Sequence, residues 1–259
     1  MNFKLPFLPE RPQKPRDKGL AMVMDKGLST QEAANLCEVG GEYIDFVKFG
    51  FGTSLVSKNI KEKIKIYKSC GIRTYFGGTL FEAFLIRNMF DEYRRFVDEH
   101  QLDLVEVSDG SMVLDHDKKC EYIHQLSKHY TVLSEVGSKE ESIIISPAKW
   151  IKMMKKELEA GAFKVIAEAR ESGNVGIYRS NGSAHVVLIN KILSAVDGDK
   201  IIWEAPNKSQ QVWFVRLLGP NVNLGNIAPA EIISLETIRQ GLRGDTFYQF
   251  LPEELHPEE

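Results

Sequence analysis

The sequence predicts a single-domain (β/α)8 barrel, an α/β fold, and three observations lead to this class. Eight short β-type runs alternate with longer helix-type runs from Leu20 onward. A chain of 259 residues has the usual size of eight βα units. The strand runs turn polar on one face toward their carboxyl ends, whereas an open doubly wound sheet, covered by helices on both sides, would be apolar on both faces. Right-handed crossovers let such units close into a barrel.

The chain divides into three segments. Residues 1–19 carry prolines at positions 6, 9, 12 and 15 among several basic residues, so we expect an extended stretch that lies over the domain. Residues 20–250 form the barrel, and residues 251–259 form an acidic tail. These boundaries leave one large unit with its own core.

Three helices carry marks of their own. Ser29 and Glu32 form a capping box that starts the first helix. Ser146 followed by Pro147 is typical of an N-cap and a first-turn proline. Apolar residues at helical spacing predict one long third helix, marked by Phe81, Leu85, Met89 and Phe96.

Composition excludes several classes of function. The chain is 43% hydrophobic and 27% charged, which is ordinary for a soluble globular protein. A net charge of −3 gives no reason to expect nucleic acid or an anionic membrane as partner. No apolar run approaches the roughly 20 residues of a membrane span. The three cysteines are odd in number and far apart, as expected of free thiols, so we expect a cytoplasmic protein.

One lysine interrupts an apolar strand. In DFVKFGFGTS (residues 45–54), Lys48 alternates with Val47 and Phe49 and shares its face with Phe46. Because strand side chains alternate between the two faces, Lys48 lies on the side that the helices do not cover. The pattern therefore places a positive charge inside the barrel.

Several carboxylates follow the same rule. The inward positions near the ends of strands four to seven are polar: Glu106 and Ser108, then Glu135, then Glu168 and Arg170, then Glu204. A single such glutamate is explained by an interior salt bridge. Four buried carboxylates close together are costly unless a cation offsets them. An all-oxygen set, without histidine spacing, predicts Mg2+ held by these four glutamates.

Two glycine-containing loops predict an anion site. In GPNVNLGNIAPAEIISLE, which includes Asn223, Gly225 and Asn226 follow the eighth strand and lead to a helix near Pro229, where barrels commonly bind phosphate. Gly78 likewise lies between the end of strand three and the helix that follows it. The simpler interpretation of each glycine is a turn that needs a positive φ.

Longer stretches resemble one protein family, the phosphosulfolactate synthases. The resemblance extends from about Met24 to Phe247, and the stretches that carry it are MDKGL, YIDFVKFGFGTS, GGTLFE, VSDGS, EVGSK, ARESG, WEAPNKSQQVWF, VNLGNI and ISLETIRQGLRGDTF. It implies a (β/α)8 barrel enzyme that adds sulfite to phosphoenolpyruvate with Mg2+, giving (2R)-phospho-3-sulfolactate on the route to coenzyme M or sulfolactate. We also expect a homo-oligomer.

The charge that this reaction generates points to further residues. Sulfite addition leaves negative charge on the substrate, and a proton must then reach C2, so a lysine is the expected acid: Lys48, Lys139 or Lys26. Arg170 and Lys208 are expected to anchor phosphate or sulfite, with Ser108 beside them. Two alternatives stay open. One is a barrel without catalytic activity, similar to a heat-stress-associated plant protein; the other is a different Mg2+-dependent lyase for a phosphorylated enol or keto acid.

Overall fold

Eight parallel strands alternate with helices around one barrel, which confirms the predicted fold class. The computed structural model describes residue 3, residues 5–137 and residues 146–257. Every strand lies within the β-type run that predicted it. The strands are β1 (Ala21–Asp25), β2 (Phe46–Phe49), β3 (Arg73–Phe76), β4 (Leu104–Val107), β5 (Thr131–Val136), β6 (Lys164–Ala167), β7 (Ile201–Glu204) and β8 (Leu224–Ile227).

The helices cover the outside of the sheet. They are α1 (Thr30–Gly40), α2 (Thr53–Val56), α3 (Ile60–Ser69), α4 (Gly78–Leu85), α5 (Phe90–Glu99), α6 (His116–Ser127), α7 (Pro147–Glu159), α8 (Val186–Leu193), α9 (Lys208–Leu218) and α10 (Ile232–Arg239). The capping box of Ser29 and Glu32 and the N-cap Ser146 before Pro147 are confirmed. Within the described ranges, no helix is long and apolar enough to cross a membrane.

The prediction of one long third helix is wrong. Two helices, α4 and α5, replace it, and the break falls at Asn88, whose φ is 56°. A left-handed residue cannot continue a right-handed helix, and asparagine adopts this conformation more readily than most residues. The apolar spacing continues across the break, so periodicity alone does not reveal it.

The strand order is β3-β2-β1-β8-β7-β6-β5-β4, so β3 and β4 lie at the two ends of the hydrogen-bonded order. Side chains bridge this seam at both ends. At the amino end, Arg73 Nη2 pairs with Asp103 Oδ2 at 2.9 Å, just before β4. At the carboxyl end, the Gly78 N–H donates to Glu106 Oε1 at 2.6 Å. The barrel therefore closes at the seam through polar contacts.

Inward side chains fill the barrel interior. A buried apolar cluster occupies it, formed by Leu20, Met22, Phe46, Tyr75, Leu104, Leu133, Ile166 and Ile202. Because side chains alternate along a strand, the next inward positions toward the carboxyl ends belong to Lys48, Glu106, Glu135, Glu168 and Glu204. All five are buried. The face assignment made from the sequence thus agrees with the structure.

The N-terminal segment lies across the amino ends of the strands. Arg16 Nε pairs with Asp45 Oδ1 at 2.9 Å, just before β2. Arg11 pairs with Glu236 of α10 at 3.0 Å. The segment therefore covers the end of the barrel opposite the polar side chains.

Candidate active site

A cavity of about 610 Å3 opens at the carboxyl ends of the strands. Its walls come from the carboxyl ends of the strands and the segments that follow them, and all eight βα units contribute, as expected for a barrel of this class. The residues that line it are Met24, Lys48, Phe51, Thr79, Gly110, Ser111, Glu135, Glu168, Ala169, Arg170, Glu171, Ser172, Glu204 and Asn226. Five of the side chains predicted from the sequence, Lys48, Glu135, Glu168, Glu204 and Arg170, therefore share one chamber with Asn226.

Three glutamates converge on the floor of this cavity. One carboxylate oxygen each of Glu135, Glu168 and Glu204 lies within 4.8 Å of the other two, and all three side chains are buried. These are three of the four predicted metal ligands. Glu106, the fourth, lies outside this group. Oxygens this close together could hold one divalent cation.

Glu106 binds the lysine instead. The Lys48 Nζ lies 3.0 Å from Glu106 Oε1, 3.2 Å from Glu135 Oε2 and 3.7 Å from Glu204 Oε1. The Gly78 N–H donates to the same Glu106 oxygen at 2.6 Å. Glu106 thus holds Lys48 from the side away from the cavity, whereas Glu135, Glu168 and Glu204 line the cavity.

The cluster holds more negative than positive charge. Burial alone would lower the pKa of Lys48, but Glu106, Glu135 and Glu204 raise that pKa well above its usual value. Burial also raises the pKa of Glu106. It raises the pKa of Glu204 to about 8, with Glu135 adding to the rise and Lys48 opposing it. Lys48 brings one positive charge to the three carboxylates that it contacts, and the clustered oxygens of Glu135, Glu168 and Glu204 also fit a multivalent cation.

Glycine at position 78 lets two strands approach. A Cβ built there would lie 2.8 Å from Glu106 Oε1 and would also collide with Ser108. The Ser108 hydroxyl donates to Glu82 Oε1, and Glu82 Oε2 accepts from the Ser111 N–H at 2.6 Å. Gly78 and Ser108 are therefore packed behind the cavity wall. Glu82, which the sequence did not single out, holds the loop that brings Ser111 to the cavity.

The loop after β6 forms one side of the mouth. Arg170 is exposed there and lines the cavity. The neighbouring Glu171 forms an ion pair with Lys26, which extends from the end of β1. Lys26 therefore lies at the rim of the site, and its Nζ contacts a carboxylate that sequence reasoning missed because Glu171 follows the strand in a loop.

The first turn of α9 anchors that loop. Gln210 Nε2 donates to Gly173 O at 2.7 Å and to Gly182 O at 3.1 Å. Asn207 Nδ2 donates to Ser172 O at 3.2 Å. Both anchors lie in the EAPNKSQQ stretch, which carried the family resemblance, but no local pattern indicated which loop they would hold.

Three further predicted site residues in the described ranges do not line the cavity. Asn223 precedes β8 at the opposite end of the barrel, where its Oδ1 accepts from the Leu20 N–H at 3.1 Å. Lys208 pairs with Asp245 at 2.6 Å, because α9 directs it toward the C-terminal segment. Gly225 lies inside β8, and a Cβ there would lie 2.8 Å from Met22 Cε. Lys139 lies outside the described residues.

The expectation that Gly225 and Asn226 follow the eighth strand is wrong, since both lie within β8. A glycine that faces the filled barrel interior serves close packing rather than an anion. Asn226 does line the cavity, and its Nδ2 donates to Ala169 O at 3.3 Å. The helical turn that follows, Pro229–Glu231, begins beyond the strand and carries an acidic residue.

Comparison with known proteins places the chain in one family. The model of the family described as (2R)-phospho-3-sulfolactate synthase (ComA) matches residues 9–245. The phosphosulfolactate synthase of Methanothermobacter thermautotrophicus is 42% identical over 244 residues, covering 92% of this chain and 95% of that protein. The Bacillus subtilis phosphosulfolactate synthase is 41% identical, covering 93% and 97%. This chain belongs to the phosphosulfolactate synthase family.

Membership in the phosphosulfolactate synthase family confirms the resemblance and the assignment as an enzyme. A more distant relative is Protein HEAT-STRESS-ASSOCIATED 32 of Arabidopsis thaliana, 22% identical, covering 89% of this chain and 88% of that protein. Among solved structures, 3-hexulose-6-phosphate synthase aligns with a TM-score of 0.54 at 14% identity, covering 85% of this chain and 99% of the other. That likeness shows the shared barrel fold alone.

Proposed function

We propose that this protein is a phosphosulfolactate synthase that adds sulfite to phosphoenolpyruvate, with Mg2+, and forms (2R)-phospho-3-sulfolactate. The observation that carries the proposal is the convergence of three buried carboxylates beside Lys48, in a chain of the phosphosulfolactate synthase family. The cavity at the carboxyl ends of the strands has room for a small ligand of this size.

The carboxylate group fits a hard divalent cation. Its ligand atoms are all oxygens and it is buried, and burial raises the pKa of Glu204, with the carboxylate of Glu135 adding to the rise. Glu135, Glu168 and Glu204 would hold the ion, whereas Glu106 is engaged by Lys48 and Gly78. When bound, Mg2+ would supply Lewis-acid stabilisation of negative charge on the substrate carboxylate.

The residues of the chain would serve the remaining needs of the reaction. The sulfur lone pair of sulfite forms a bond to C3, the C=C electron pair moves to C2 and into the carboxylate, and C2 then gains a proton. Lys48 supplies a fixed positive charge beside the cavity, and its raised pKa makes it a weak proton donor. Lys26 and Lys139 are the other proposed acids. Arg170 would attract the anionic substrates at the mouth.

Product analysis tests the proposal directly. Purified protein is incubated with phosphoenolpyruvate, sulfite and Mg2+, and the product is identified by 31P NMR and mass spectrometry. Activity should disappear with excess chelator and return with Mg2+ or Mn2+. Glu168→Gln should weaken metal binding, whereas the same change at the exposed Glu99 should not. Full turnover in excess chelator would contradict the metal dependence.

The same assay separates the alternatives. A different Mg2+-dependent lyase would leave phosphoenolpyruvate and sulfite unchanged and would act on another phosphorylated enol or keto acid. A barrel without catalytic activity would consume neither. The carboxylate group with its lysine supports an enzyme, because such a costly buried arrangement has no function in a purely structural barrel.

We also propose a cytoplasmic homo-oligomer. The three described cysteines are free, which agrees with a reducing compartment. Exposed apolar side chains such as Leu55 and Val56, at 57% and 84% exposure, support contact with another copy of the chain. Size-exclusion chromatography with light scattering would give the number of subunits, and a monomer at micromolar concentration would contradict the proposal.

A further inference from the structure

Strand β8 contains a bulge beside the cavity. Its pairing with β1 runs from Ala21 opposite Leu224 to Val23 opposite Ile227, so three steps along β8 match two along β1. Within this extra length, Asn226 adopts a φ of 56°. A bulge redirects the side chain of the inserted residue, and asparagine tolerates the left-handed conformation better than most residues. The bulge explains how a residue inside the strand lines the cavity.

Asn226 and Glu204 are held by the same residue. The Ala169 N–H donates to Glu204 Oε2 at 2.7 Å, and the Ala169 carbonyl accepts from Asn226 Nδ2 at 3.3 Å. A carbonyl can only accept, so the nitrogen end of the Asn226 amide must face Ala169. Of the remaining oxygens, Glu204 Oε1 lies 3.7 Å from Lys48 Nζ, and Asn226 Oδ1 is left for another partner.

Both remaining oxygens are buried. Neither Glu204 Oε1 nor Asn226 Oδ1 has a hydrogen-bond partner among the described residues. Asn226 is 9% exposed, and it lines the same cavity as the three clustered glutamates. A buried oxygen without a partner is costly, and an oxygen acceptor cannot bind an ionised phosphate or sulfite oxygen, which is itself an acceptor. What satisfies it must be a cation or a donor.

We propose that Asn226 Oδ1 is a neutral ligand of the divalent cation that Glu135, Glu168 and Glu204 would hold. This inference rests on the metal dependence proposed above. A neutral oxygen completes the coordination of a hard cation without adding to three carboxylate charges that already exceed the charge of the ion. The inference replaces the anion-binding role that the sequence predicted for Asn226.

Metal titration of the substrate-free protein tests the inference. Mn2+ is titrated calorimetrically into chelator-treated, dialysed protein, as wild type and as three variants. Asn226→Gly removes the oxygen yet accepts the positive φ. Asn226→Asp keeps an oxygen. Asn88→Gly is the matched control, because Asn88 has the same φ of 56° and is exposed.

Asn226→Gly should weaken Mn2+ binding by about tenfold or more, the range found when groups that support a metal site are removed. Asn226→Asp keeps an oxygen and should bind Mn2+ more tightly than Asn226→Gly, and Asn88→Gly should bind Mn2+ as wild type does. In excess chelator, the melting temperature of Asn226→Gly should lie only slightly below that of Asn88→Gly, because the variant also loses the hydrogen bond from Asn226 Nδ2 to Ala169 O.

Other outcomes would overturn the inference. Wild-type Mn2+ affinity in Asn226→Gly would show that the oxygen does not bind the metal, and a raised KM with that affinity would assign it to the substrate. A loss of metal-free stability much larger than in Asn88→Gly would show that a donor of the chain uses Oδ1. If wild type binds no Mn2+ at all, the proposed metal dependence fails together with the inference, and this result is distinct from the others.

Discussion

At the scale of single residues, Lys48 offsets part of the negative charge of the carboxylates around it. Three carboxylates lie within 3.7 Å of its Nζ, and all of these side chains are buried, so solvent screens their charges only weakly. Removing a buried cation leaves its carboxylate partners without compensation, which costs more than the pair itself contributes. The residue therefore affects stability and chemistry together, and variants must separate the two.

Two substitutions separate these roles. Lys48→Met, which keeps length without charge, should lower the free energy of unfolding by about 3–5 kcal/mol in excess chelator, measured by urea denaturation. Lys48→Arg keeps the charge and should cost less stability, yet its turnover should fall at least about 10²-fold because the cation no longer lies at the same point. Lys58→Met, on the surface, is the control for methionine substitution. Near-normal turnover of Lys48→Arg would reduce Lys48 to a structural charge.

Glu204 predicts a pH dependence of the metal-free protein. Its pKa is raised from 4.5 to about 8 on folding, so the folded state holds a proton that the unfolded state has lost between these values. Stability should therefore fall as pH rises through this window, by up to about 1.4 kcal/mol per pH unit. Glu204→Gln lacks that proton. Its stability relative to wild type should increase from pH 4.5 to 8 in chelator and then level off; parallel profiles from urea unfolding would contradict this.

Sequence alone predicted the side chains that strand alternation controls. Lys48, Glu135, Glu168 and Glu204 were found because a period of two fixes which face a residue occupies. Asn226 was expected after the eighth strand but lies within β8, and its placement depends on a bulge that no pattern of apolar residues reveals. Lys208 and Asn223 lie in the right segments but point elsewhere, because nearness in sequence does not give direction.

At the scale of elements, α9 determines the shape of the mouth. Gln210 holds two carbonyls of the loop after β6, and Asn207 holds a third, so the loop that carries Arg170 is fixed by a helix it does not belong to. Both anchors lie outside the cavity floor. Their contribution should appear in substrate binding and not in metal binding.

Gln210→Ala should lower kcat/KM for phosphoenolpyruvate by about 10- to 100-fold. The loop after β6 loses two hydrogen bonds in this variant, so it shifts and misplaces Arg170. Mn2+ affinity should stay within about twofold of wild type, since Gln210 does not contact the three clustered glutamates. Gln31→Ala, which removes an exposed amide of α1, is the control. Combining Gln210→Ala with Arg170→Ala should add little to the loss. Additive losses would show that the two residues act independently.

The break between α4 and α5 shows the limit of periodicity at this scale. Phe81 and Phe96 pack toward one core although the helix stops between them. A single residue in the left-handed region resets the backbone without moving the apolar stripe. Caps with side-chain hydrogen bonds were predicted correctly because their signal is local, as at Ser29.

At the scale of the whole molecule, the N-terminal segment closes the barrel at its amino end. Arg16 forms two contacts with Asp45, at 2.9 and 3.0 Å, and the same carboxylate accepts from the Ala21 N–H. The extended conformation was predicted from its prolines. Its ion pairs were not, because they join residues that are far apart in sequence.

Arg16→Ala should lower the free energy of unfolding by about 3–5 kcal/mol, because it leaves the buried Asp45 without its cation. KM for both substrates should stay unchanged, since the segment lies at the far end of the barrel. Urea unfolding and steady-state kinetics measure the two effects. Arg95→Ala, which breaks an exposed pair with Glu92, should change stability by no more than about 1 kcal/mol. A raised KM in Arg16→Ala would mean that the two ends are coupled.

The closed amino end also determines how small molecules enter and leave the cavity. Beneath the three clustered glutamates the interior is filled by apolar side chains, and below these lies the N-terminal segment. Among the described residues, the cavity opens past Arg170 and the pair of Lys26 with Glu171, so the proposed substrates, sulfite and phosphoenolpyruvate, would share this entrance with the product. The substrate that binds deepest in the cavity must bind first, and it cannot dissociate while the other substrate is bound above it. Steady-state kinetics should accordingly follow a compulsory order, with the outer ligand trapping the inner one.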